Sequence, residues 1–213
     1  AIGVGDMNKD GYPDMYVSTD FGEPDLYYVN NGNKTFTNRV LEGMKHITYY
    51  SMGSDVVDVN NDGNLDIYVT DMTPNDHVRS KTFMPSMDTD KFNAFVQYGF
   101  HHQYMLNSLQ INNGDNTFSE LGQFAGIAKT DWSWAALMED VDLDGDKDIF
   151  VSNGYRKYGL DNDFRNKVIE TQQKYNGQVP AEVKEKLYDE MPTEPLANIL
   201  YENQGDLQFN DIA

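Results

Sequence analysis

The sequence predicts an all-β fold made of β-propeller blades that carry helical insertions. Three observations support this prediction. An acidic nine-residue pattern occurs three times, an Asn-Gly hairpin pattern also occurs three times, and a constant interval of 28 residues separates each of the first two hairpins from the next acidic pattern. A repeating unit of roughly 50 residues with four short strands is typical of a propeller blade.

The acidic pattern, D-x-[DN]-x-D-G-x-x-D, begins at Asp6, Asp58 and Asp140. Oxygen-bearing side chains at its first, third, fifth and ninth positions, with a glycine at the sixth, are what a short loop needs to wrap a hard cation such as Ca²⁺. We therefore predict about three bound Ca²⁺ ions, one in each loop. The predicted metal-site residues, which include the seventh position of each loop, are Asp6, Asn8, Asp10, Tyr12 and Asp14; Asp58, Asn60, Asp62, Asn64 and Asp66; and Asp140, Asp142, Asp144, Asp146 and Asp148.

The residues around these loops exclude an EF-hand. An EF-hand needs a glutamate at the twelfth position and helices on both sides, whereas the twelfth residues here are Val17, Val69 and Val151. The β-branched and aromatic residues that follow each loop favour strands, so each loop is predicted to join two strands. Three solvated turns without a cation are the alternative. The identical spacing of three copies, and the repulsion among their carboxylates, disfavour it.

The second repeated pattern is an apolar run, a turn that begins at Asn30, Asn112 or Asn203, and a short strand that ends in Phe. This pattern predicts a β-hairpin. The interval from hairpin to acidic loop is 28 residues in both cases (58 minus 30, 140 minus 112). The interval from acidic loop to hairpin varies, at 24, 54 and 63 residues (30 minus 6, 112 minus 58, 203 minus 140). One scaffold therefore repeats, and one position in it accepts large insertions.

These loops and hairpins resemble the FG-GAP/VCBS repeats that build the calcium-binding propeller of integrin α subunits and of many bacterial surface proteins. The three loops read DMNKDGYPDMYV, DVNNDGNLDIYV and DVDLDGDKDIFV. The stretch from His101 to Arg156 is similar to bacterial VCBS-repeat proteins of the cartilage acidic protein-like group, which are often found in Bacteroidota. The resemblance implies structural Ca²⁺ in the loops and propeller faces that serve as binding surfaces.

The chain is predicted to be one partial propeller. Its three repeats are expected at about 1–50, 51–130 and 131–213, with insertions at about 73–104 and 155–198. Because closed propellers typically have about four to eight blades, we expect the chain to be a piece of a larger propeller of roughly seven blades. A complete small open assembly of sheets is the alternative, which its exposed strand edges disfavour.

The first insertion is rich in methionine and aromatic residues and shows no clear period. These residues include Met84, Met87, Phe92, Phe95, Tyr98, Phe100 and Tyr104, with Pro85 among them. The insertion could contact a ligand on one propeller face, or it could cover neighbouring blades as a lid. We favour the lid, because aromatic clusters usually serve packing.

The second insertion is predicted to form two helices. The polar run 161–163 offers N-cap residues ahead of Phe164, and Gly177 would end the first helix. The second helix is predicted to begin at Pro180 and to carry an apolar face of Val183, Leu187 and Met191. This amphipathic pair is expected to pack on the propeller or on a partner protein.

Two pairs of ring-bearing residues each have two interpretations. His101 and His102 could bind a transition metal or supply a general base, but adjacent residues on a strand point to opposite faces, and the chain contains no cysteine to complete such a site. Trp132 and Trp134 could stack on sugar rings. Strand alternation would put both on one face, where packing between blades is the ordinary role. We favour structural roles for both pairs.

Composition bounds the partners and the location. The formal net charge of −19 argues against nucleic acid or anionic lipid as partners. The sequence has no run of 18 apolar residues, so no transmembrane segment is predicted. Because millimolar external calcium would fill loops of modest affinity, we expect an extracellular or bacterial outer-membrane surface location. Any lipid anchor would use a segment that is not in this chain.

The chain is therefore predicted to be a calcium-stabilised cell-surface propeller that acts as a binding or scaffolding module. It is not predicted to be an enzyme, since it contains no nucleophile elbow, zinc-protease helix motif or Walker loop. The expected partner is a protein or glycan at the cell surface, and the chain could be a subunit of an outer-membrane assembly. The alternative is a glycan-processing enzyme or glycan-binding protein that uses the inserted loops and spare carboxylates.

Overall fold

The computed structural model describes residues 1–83 and 88–213, and in them strands outnumber helices. Most of these strands lie in three antiparallel sheets. The β fold predicted from the sequence is confirmed in this form: the protein is mostly β, with five helices in its described residues, and it is compatible with a β-propeller-like arrangement. Three residues assigned to the first insertion, Met84, Pro85 and Met87, lie outside the described residues.

The three sheets share one topology, in which four strands pair in the order in which they follow along the chain. The first sheet contains β1 (Ile2–Gly5), β2 (Asp14–Val17), β3 (Leu26–Asn30) and β4 (Phe36–Asn38). A two-stranded parallel pair is made by β5 (Ile47–Thr48) and β9 (Gln103–Tyr104). The second sheet contains β6 (Gly53–Val57), β7 (Asp66–Thr70), β10 (Ser108–Asn112) and β11 (Phe118–Glu120). The third sheet contains β12 (Asp131–Glu139), β13 (Asp148–Asn153), β14 (Ile199–Asn203) and β15 (Phe209–Asp211), and β8 (Met72–Thr73) joins it beside β12.

The second sheet packs against the other two through opposite faces of β7. Ile67 lies in an apolar cluster with Tyr16 and Tyr27 of the first sheet. Tyr68, the next residue, lies in a separate cluster with Ile149 of the third sheet. Because successive residues of a strand point to opposite faces, a fully buried strand needs apolar residues at adjacent positions. The run Ile-Tyr-Val in β7 meets this requirement.

The first strands of neighbouring sheets lie close together, and Gly53 permits the contact at the start of β6. A Cβ atom at this position would lie 2.7 Å from the Cα of Ala135 and 2.8 Å from the carbonyl oxygen of Trp134. Any side chain would therefore push β6 away from β12. The close approach of first strands is compatible with sheets arranged around a common axis.

In its described residues, the first insertion contains two short helices, α2 (Arg79–Thr82) and α3 (Thr89–Gln97). The helix α3 was not predicted, because the insertion as a whole shows no clear period, although Phe92, Phe95 and Val96 within it have helical spacing. The helix begins where the Asp88 side chain accepts a hydrogen bond from the N–H of Asp90 at 3.0 Å, which is an ordinary N-cap. A single-turn helix, α1 (Val40–Gly43), also follows the first sheet.

The aromatic residues of the first insertion are divided between packing and exposure. Phe83 is buried and stacks on Tyr158, with ring centroids 5.0 Å apart. The rings of Phe92 and Tyr104 are 5.6 Å apart. Tyr98, in contrast, is 82% exposed. The lid interpretation is therefore wrong for Tyr98, while Phe83, which was not among the residues on which it rested, packs on Tyr158 of the second insertion.

The second insertion forms the two predicted helices, α4 (Asn162–Lys174) and α5 (Ala181–Glu190). The Asp161 side chain caps α4 by accepting a hydrogen bond from the N–H of Phe164 at 2.9 Å. Phe164 is the buried residue of α4, whereas none of the residues of α5, all of which the structure describes, is fully buried. Much of the surface of the pair is therefore open to solvent.

Arg79 connects the two insertions. Its guanidinium donates from Nε and Nη2 to the two carboxylate oxygens of Asp131, at 2.8 and 2.6 Å. Its Nη1 donates to the hydroxyl oxygen of Tyr155 at 3.0 Å and also to the carboxylate of Glu194. The two-point pairing with Asp131 fixes both the position and the plane of the guanidinium. The first insertion, β12 and the second insertion are thereby joined at one residue.

No helix within 1–83 or 88–213 combines the length and the apolar character that crossing a bilayer requires.

Candidate metal centres

Each acidic loop closes a β-hairpin, as predicted. The loops join β1 to β2, β6 to β7 and β12 to β13, and in each case the ninth-position aspartate is the first residue of the second strand. The second and third loops also contact each other, because the Asn61 side chain donates to the carboxylate of Asp146 at 2.8 Å and to the carbonyl of Gly145 at 3.2 Å.

The first-position aspartate organises the backbone of every loop. Its Oδ1 accepts a hydrogen bond from the N–H of the fifth residue at 3.0, 3.0 and 3.1 Å in the three loops. Its Oδ2 accepts from the N–H of the glycine at 2.8, 2.8 and 3.1 Å. The third-position side chain accepts from the same fifth-position N–H at 3.1, 3.2 and 3.1 Å. The first and third side chains therefore direct oxygen atoms to one point in each loop.

The backbone of the loops requires left-handed conformations at two positions. Gly11, Gly63 and Gly145 have φ of +89°, +84° and +103°, which agrees with the expectation for the sixth position. The fourth residues are also left-handed, at +59°, +58° and +66°, although none of them is glycine. This strain was not apparent from the sequence, because Lys, Asn and Leu occupy the position.

The ninth-position aspartates are buried, and each accepts two backbone N–H groups. Asp14 accepts from Met7 at 3.0 Å and from Asn30 at 2.8 Å. The same two bonds measure 3.0 and 2.8 Å at Asp66, and 2.9 and 2.9 Å at Asp148. One donor belongs to the loop and the other to the third strand of the sheet. This aspartate thus connects each loop to its hairpin, which is a role that the pattern alone did not reveal.

Burial raises the pKa of two of the ninth-position aspartates, Asp14 and Asp66. Burial raises the pKa of Asp66 to about 6, and the charges of Asp62 and Asp58 add to the increase, while the N–H groups of Asn112 and Val59 oppose it. Burial is also the main reason why the pKa of Asp14 is raised. A divalent cation among these groups would supply the positive charge that favours their ionised form.

The third loop has the densest set of carboxylates. Oxygen atoms of Asp140, Asp142 and Asp148 lie within 4.8 Å of one another. The first two loops have Asn8 and Asn60 in place of Asp142, and each amide nitrogen donates to the fifth-position carboxylate at 3.0 Å. Carboxylate and amide oxygens at this separation fit a hard cation such as Ca²⁺. The donor set therefore agrees with the predicted metal, and the third loop offers it the most negative charge.

Within the histidine pair, His101 has a structural role. His101 is buried, and its Nε2 lies 3.1 Å from the carbonyl oxygen of Met44. Its Nδ1 accepts the N–H of His102 at 2.9 Å, so the ring is neutral with a proton on Nε2. Burial, as the main cause, lowers the pKa of His101. Both ring nitrogens are therefore engaged by the backbone, which argues against a metal-binding or catalytic role for His101.

The tryptophan pair differs from the prediction. Trp132 packs against the buried cluster of Met72, Phe83 and Tyr158. Trp134 is 49% exposed, and its indole N–H donates to the carbonyl of Gly154. The register of β12 shifts between Ser133 and Ala135, which breaks the alternation on which the prediction rested. The packing interpretation is therefore wrong for Trp134.

The hairpin asparagines do more than form turns, which is the role that the sequence predicted for them. Asn30, Asn112 and Asn203 each accept the N–H of the residue two positions later, at 3.0, 3.0 and 3.1 Å, as a turn residue does. Their own N–H groups also donate to the ninth-position aspartates. The sequence signal for this connection was that the first two asparagines lie at a constant distance before the next acidic loop.

The fold and these loops are compatible with one class of protein, the β-propeller-like module built from short acidic-loop repeats. Residues 6–69, from the first position of the first loop to the twelfth position of the second, match the sequence model of the FG-GAP-like repeat. This segment belongs to the FG-GAP-like repeat family, as the resemblance of the loops implied. No curated protein matches the chain. Its similarity to a particular bacterial group stays a prediction.

Proposed function

We propose that the three acidic loops bind Ca²⁺ and that the bound ions stabilise a β-propeller that acts as a binding or scaffolding module at the bacterial cell surface. The observation that carries the proposal is the repetition of one loop geometry three times, with the same backbone donors on the first and ninth aspartates. A turn that only reverses the chain needs neither a buried aspartate at its end nor a group of exposed carboxylate and amide side chains within it.

The proposed role is binding rather than catalysis. The regularly spaced carboxylates are engaged by loop N–H groups and would be engaged by the cation. The insertions offer surface for a partner, since α5 is not fully buried at any residue and Tyr98 is largely exposed. We propose that the helical pair α4–α5 docks on a protein partner, such as another subunit of an outer-membrane assembly.

The test of the proposed calcium sites is a calorimetric titration of the calcium-free protein with Ca²⁺. Asp142→Asn gives the third loop the side chain found at the same position in the first two loops, so it removes one ligand charge with little change in shape. Since ligand charge tunes calcium affinity, we expect the affinity of the third loop to fall by about 10-fold.

Asp115→Asn is the matched control, because this aspartate lies in an exposed hairpin turn outside the acidic loops. It should leave the isotherm unchanged. A wild-type protein that takes up no Ca²⁺ at millimolar concentration would contradict the proposed function.

A glycan is the second candidate ligand, and the exposure of Trp134 favours it. An indole that is half exposed and held in place by a hydrogen bond can stack on a sugar ring at low entropic cost. Trp134→Ala should weaken retention in polysaccharide-containing gels by about 10-fold. Tyr98→Ala, which removes a different exposed ring, should not. If the unmodified protein migrates freely through every polysaccharide tested, this second candidate is wrong.

A further inference from the structure

We infer that Asn112 and Asn203 are positioning residues that couple the three calcium sites to one another, an inference that rests on the proposed calcium binding. Each asparagine belongs to the hairpin of one sheet, and its side chain reaches the acidic loop of the preceding sheet. The ninth-position aspartates are thereby connected across all three sheets by one buried series of hydrogen bonds, which we call the relay.

The first half of the relay joins the first and second loops. Asp14 accepts the N–H of Met7 at 3.0 Å. The carbonyl oxygen of Met7 accepts from Nδ2 of Asn112 at 2.7 Å. The backbone N–H of Asn112 then donates to Oδ1 of Asp66 at 2.8 Å. Two predicted calcium ligands, 52 positions apart in sequence (66 minus 14), are thus separated by only two residues of the relay.

The second half repeats the arrangement between the second and third loops. Asp66 accepts the N–H of Val59 on its other oxygen, Oδ2, at 3.0 Å. The carbonyl oxygen of Val59 accepts from Nδ2 of Asn203 at 3.3 Å. The backbone N–H of Asn203 donates to Asp148 at 2.9 Å. Asp66 is therefore the centre of the relay, with one oxygen directed to each half.

The relay is shielded from water along its whole length. Every residue in it is at least nine-tenths buried, and the members are Met7, Asp14, Val59, Asp66, Asn112, Asp148 and Asn203. In such surroundings hydrogen bonds are electrostatically stronger than in water, and successive bonds polarise one another. Groups that hydrogen-bond to metal ligands, and so orient them, also affect metal affinity. Mutating such a group typically lowers the affinity by about 10- to 100-fold.

The physical consequence is positive coupling. A cation bound to Asp66 holds this carboxylate, and hence the backbone of Asn112, in one place. The Asn112 side chain then fixes the Met7 peptide, whose N–H orients Asp14 for its own cation. Binding of Ca²⁺ at one loop therefore orders part of the next loop in advance. The next Ca²⁺ ion then loses less free energy to ordering that loop and binds more tightly.

Asn30 supplies the matched control, because its side chain stays within its own repeat. Its Nδ2 donates to the carbonyl of Pro13 at 3.0 Å. Asn112 makes the equivalent local bond to Leu65 at 3.1 Å in addition to its bond with Met7. Both variants lose the local bond, so Asn30→Ala controls for that loss, and the two sites differ in the bond between repeats and in the deeper burial of Asn112.

The experiment is a calorimetric Ca²⁺ titration of the wild-type chain and of the Asn112→Ala, Asn203→Ala and Asn30→Ala variants, with thermal unfolding measured with and without Ca²⁺. We expect cooperative binding in the wild type. Asn112→Ala should abolish the cooperativity between the first two loops and lower the overall affinity by about 10-fold. Asn203→Ala should do the same for the second and third loops. Asn30→Ala should leave the cooperativity intact.

Two outcomes would overturn the inference while leaving the proposed function standing. One is independent binding of Ca²⁺ at all sites of the wild type. The other is an equal effect of Asn112→Ala and Asn30→Ala on the isotherm, with equal losses of melting temperature whether Ca²⁺ is present or absent, which is what purely structural asparagines would produce. A wild type that binds no Ca²⁺ would overturn both. If Asn112→Ala does not fold, Asn203→Ala tests the same relay.

Discussion

Removal of Ca²⁺ with a chelator should lower the melting temperature of the protein, and added Ca²⁺ should restore it. A ligand that binds only the folded state stabilises it by about 2.7 kcal/mol at a free concentration of 100 times its dissociation constant. For a domain of this size, 1 kcal/mol corresponds to roughly 2–4 °C in melting temperature. One saturated loop should therefore contribute roughly 5–10 °C, and three loops should contribute more.

The effect should be specific for calcium. A chelator that has been saturated with Ca²⁺ beforehand is the control, and it should leave the melting temperature unchanged. Mg²⁺ should restore less than Ca²⁺ does, because it demands a near-octahedral geometry and loses its water reluctantly. Identical melting curves in chelator and in Ca²⁺ would contradict a stabilising role for the loops.

The second large effect concerns two buried carboxyl groups at the end of the sheets opposite to the acidic loops. Asp25 accepts hydrogen bonds from the hydroxyls of Tyr16 and Ser51 at 2.6 and 2.7 Å. Burial raises the pKa of Asp25 to about 6. Burial likewise raises the pKa of Asp71 to about 7, and the nearby Asp25 charge adds to it.

The stability that Asp25 and Asp71 contribute should therefore fall as the pH rises from about 4 to about 7. In this window the folded protein holds protons on Asp25 and Asp71 that the unfolded chain has already released, so raising the pH favours unfolding. One pKa unit corresponds to about 1.4 kcal/mol, so the full loss is about 3 kcal/mol for Asp25 and about 4 kcal/mol for Asp71. The stabilisation is complete below the unfolded pKa and is lost above the folded one.

Asp25→Asn tests this prediction with a side chain that the fold already uses. Asn107 occupies the equivalent position of the second sheet, where it accepts the N–H of Asp71 at 2.7 Å and donates to the hydroxyl of Tyr68 at 3.0 Å. We expect the variant to be more stable than the wild type by up to about 3 kcal/mol at pH 8, and no more stable at pH 4.

Urea unfolding at both pH values, in excess Ca²⁺, measures the difference. Asp189→Asn, which neutralises an exposed carboxylate of α5, is the control and should show no such pH-dependent gain. The prediction fails if Asp25→Asn changes the free energy of unfolding equally at pH 4 and pH 8.

Much of the fold could be predicted because its signals are local. The strands around each loop, the Asn-Gly hairpins and the cap of α4 at Asp161 depend on short-range chemistry that the sequence displays directly. The helix α3 was missed although Phe92, Phe95 and Val96 are spaced at i, i+3 and i+4. This stretch is short and lies in an insertion that shows no clear period over its whole length. The exposure of Trp134 could not be predicted either. It results from a register shift in β12, and no residue in that strand indicates such a shift.

The candidate site divides in the same way. The cation ligands follow a spacing that can be read from one repeat. The bonds from Asn112 to Met7 and from Asn203 to Val59 cannot be predicted from one repeat, because they join residues that are 105 and 144 positions apart in the sequence. Asn112 and Asn30 look alike in sequence, and only the arrangement of neighbouring sheets makes them different.

The strand β8 limits how far the repeats can be treated as interchangeable units. It lies in the segment that follows the second acidic loop, yet it pairs with β12 of the third sheet, Thr73 opposite Asp131 and Met72 opposite Trp132. Deleting, duplicating or transplanting the second repeat alone would remove an edge strand from its neighbour. In any chimera built from this scaffold, we therefore expect the second and third repeats to keep their native stability only when they are transferred together.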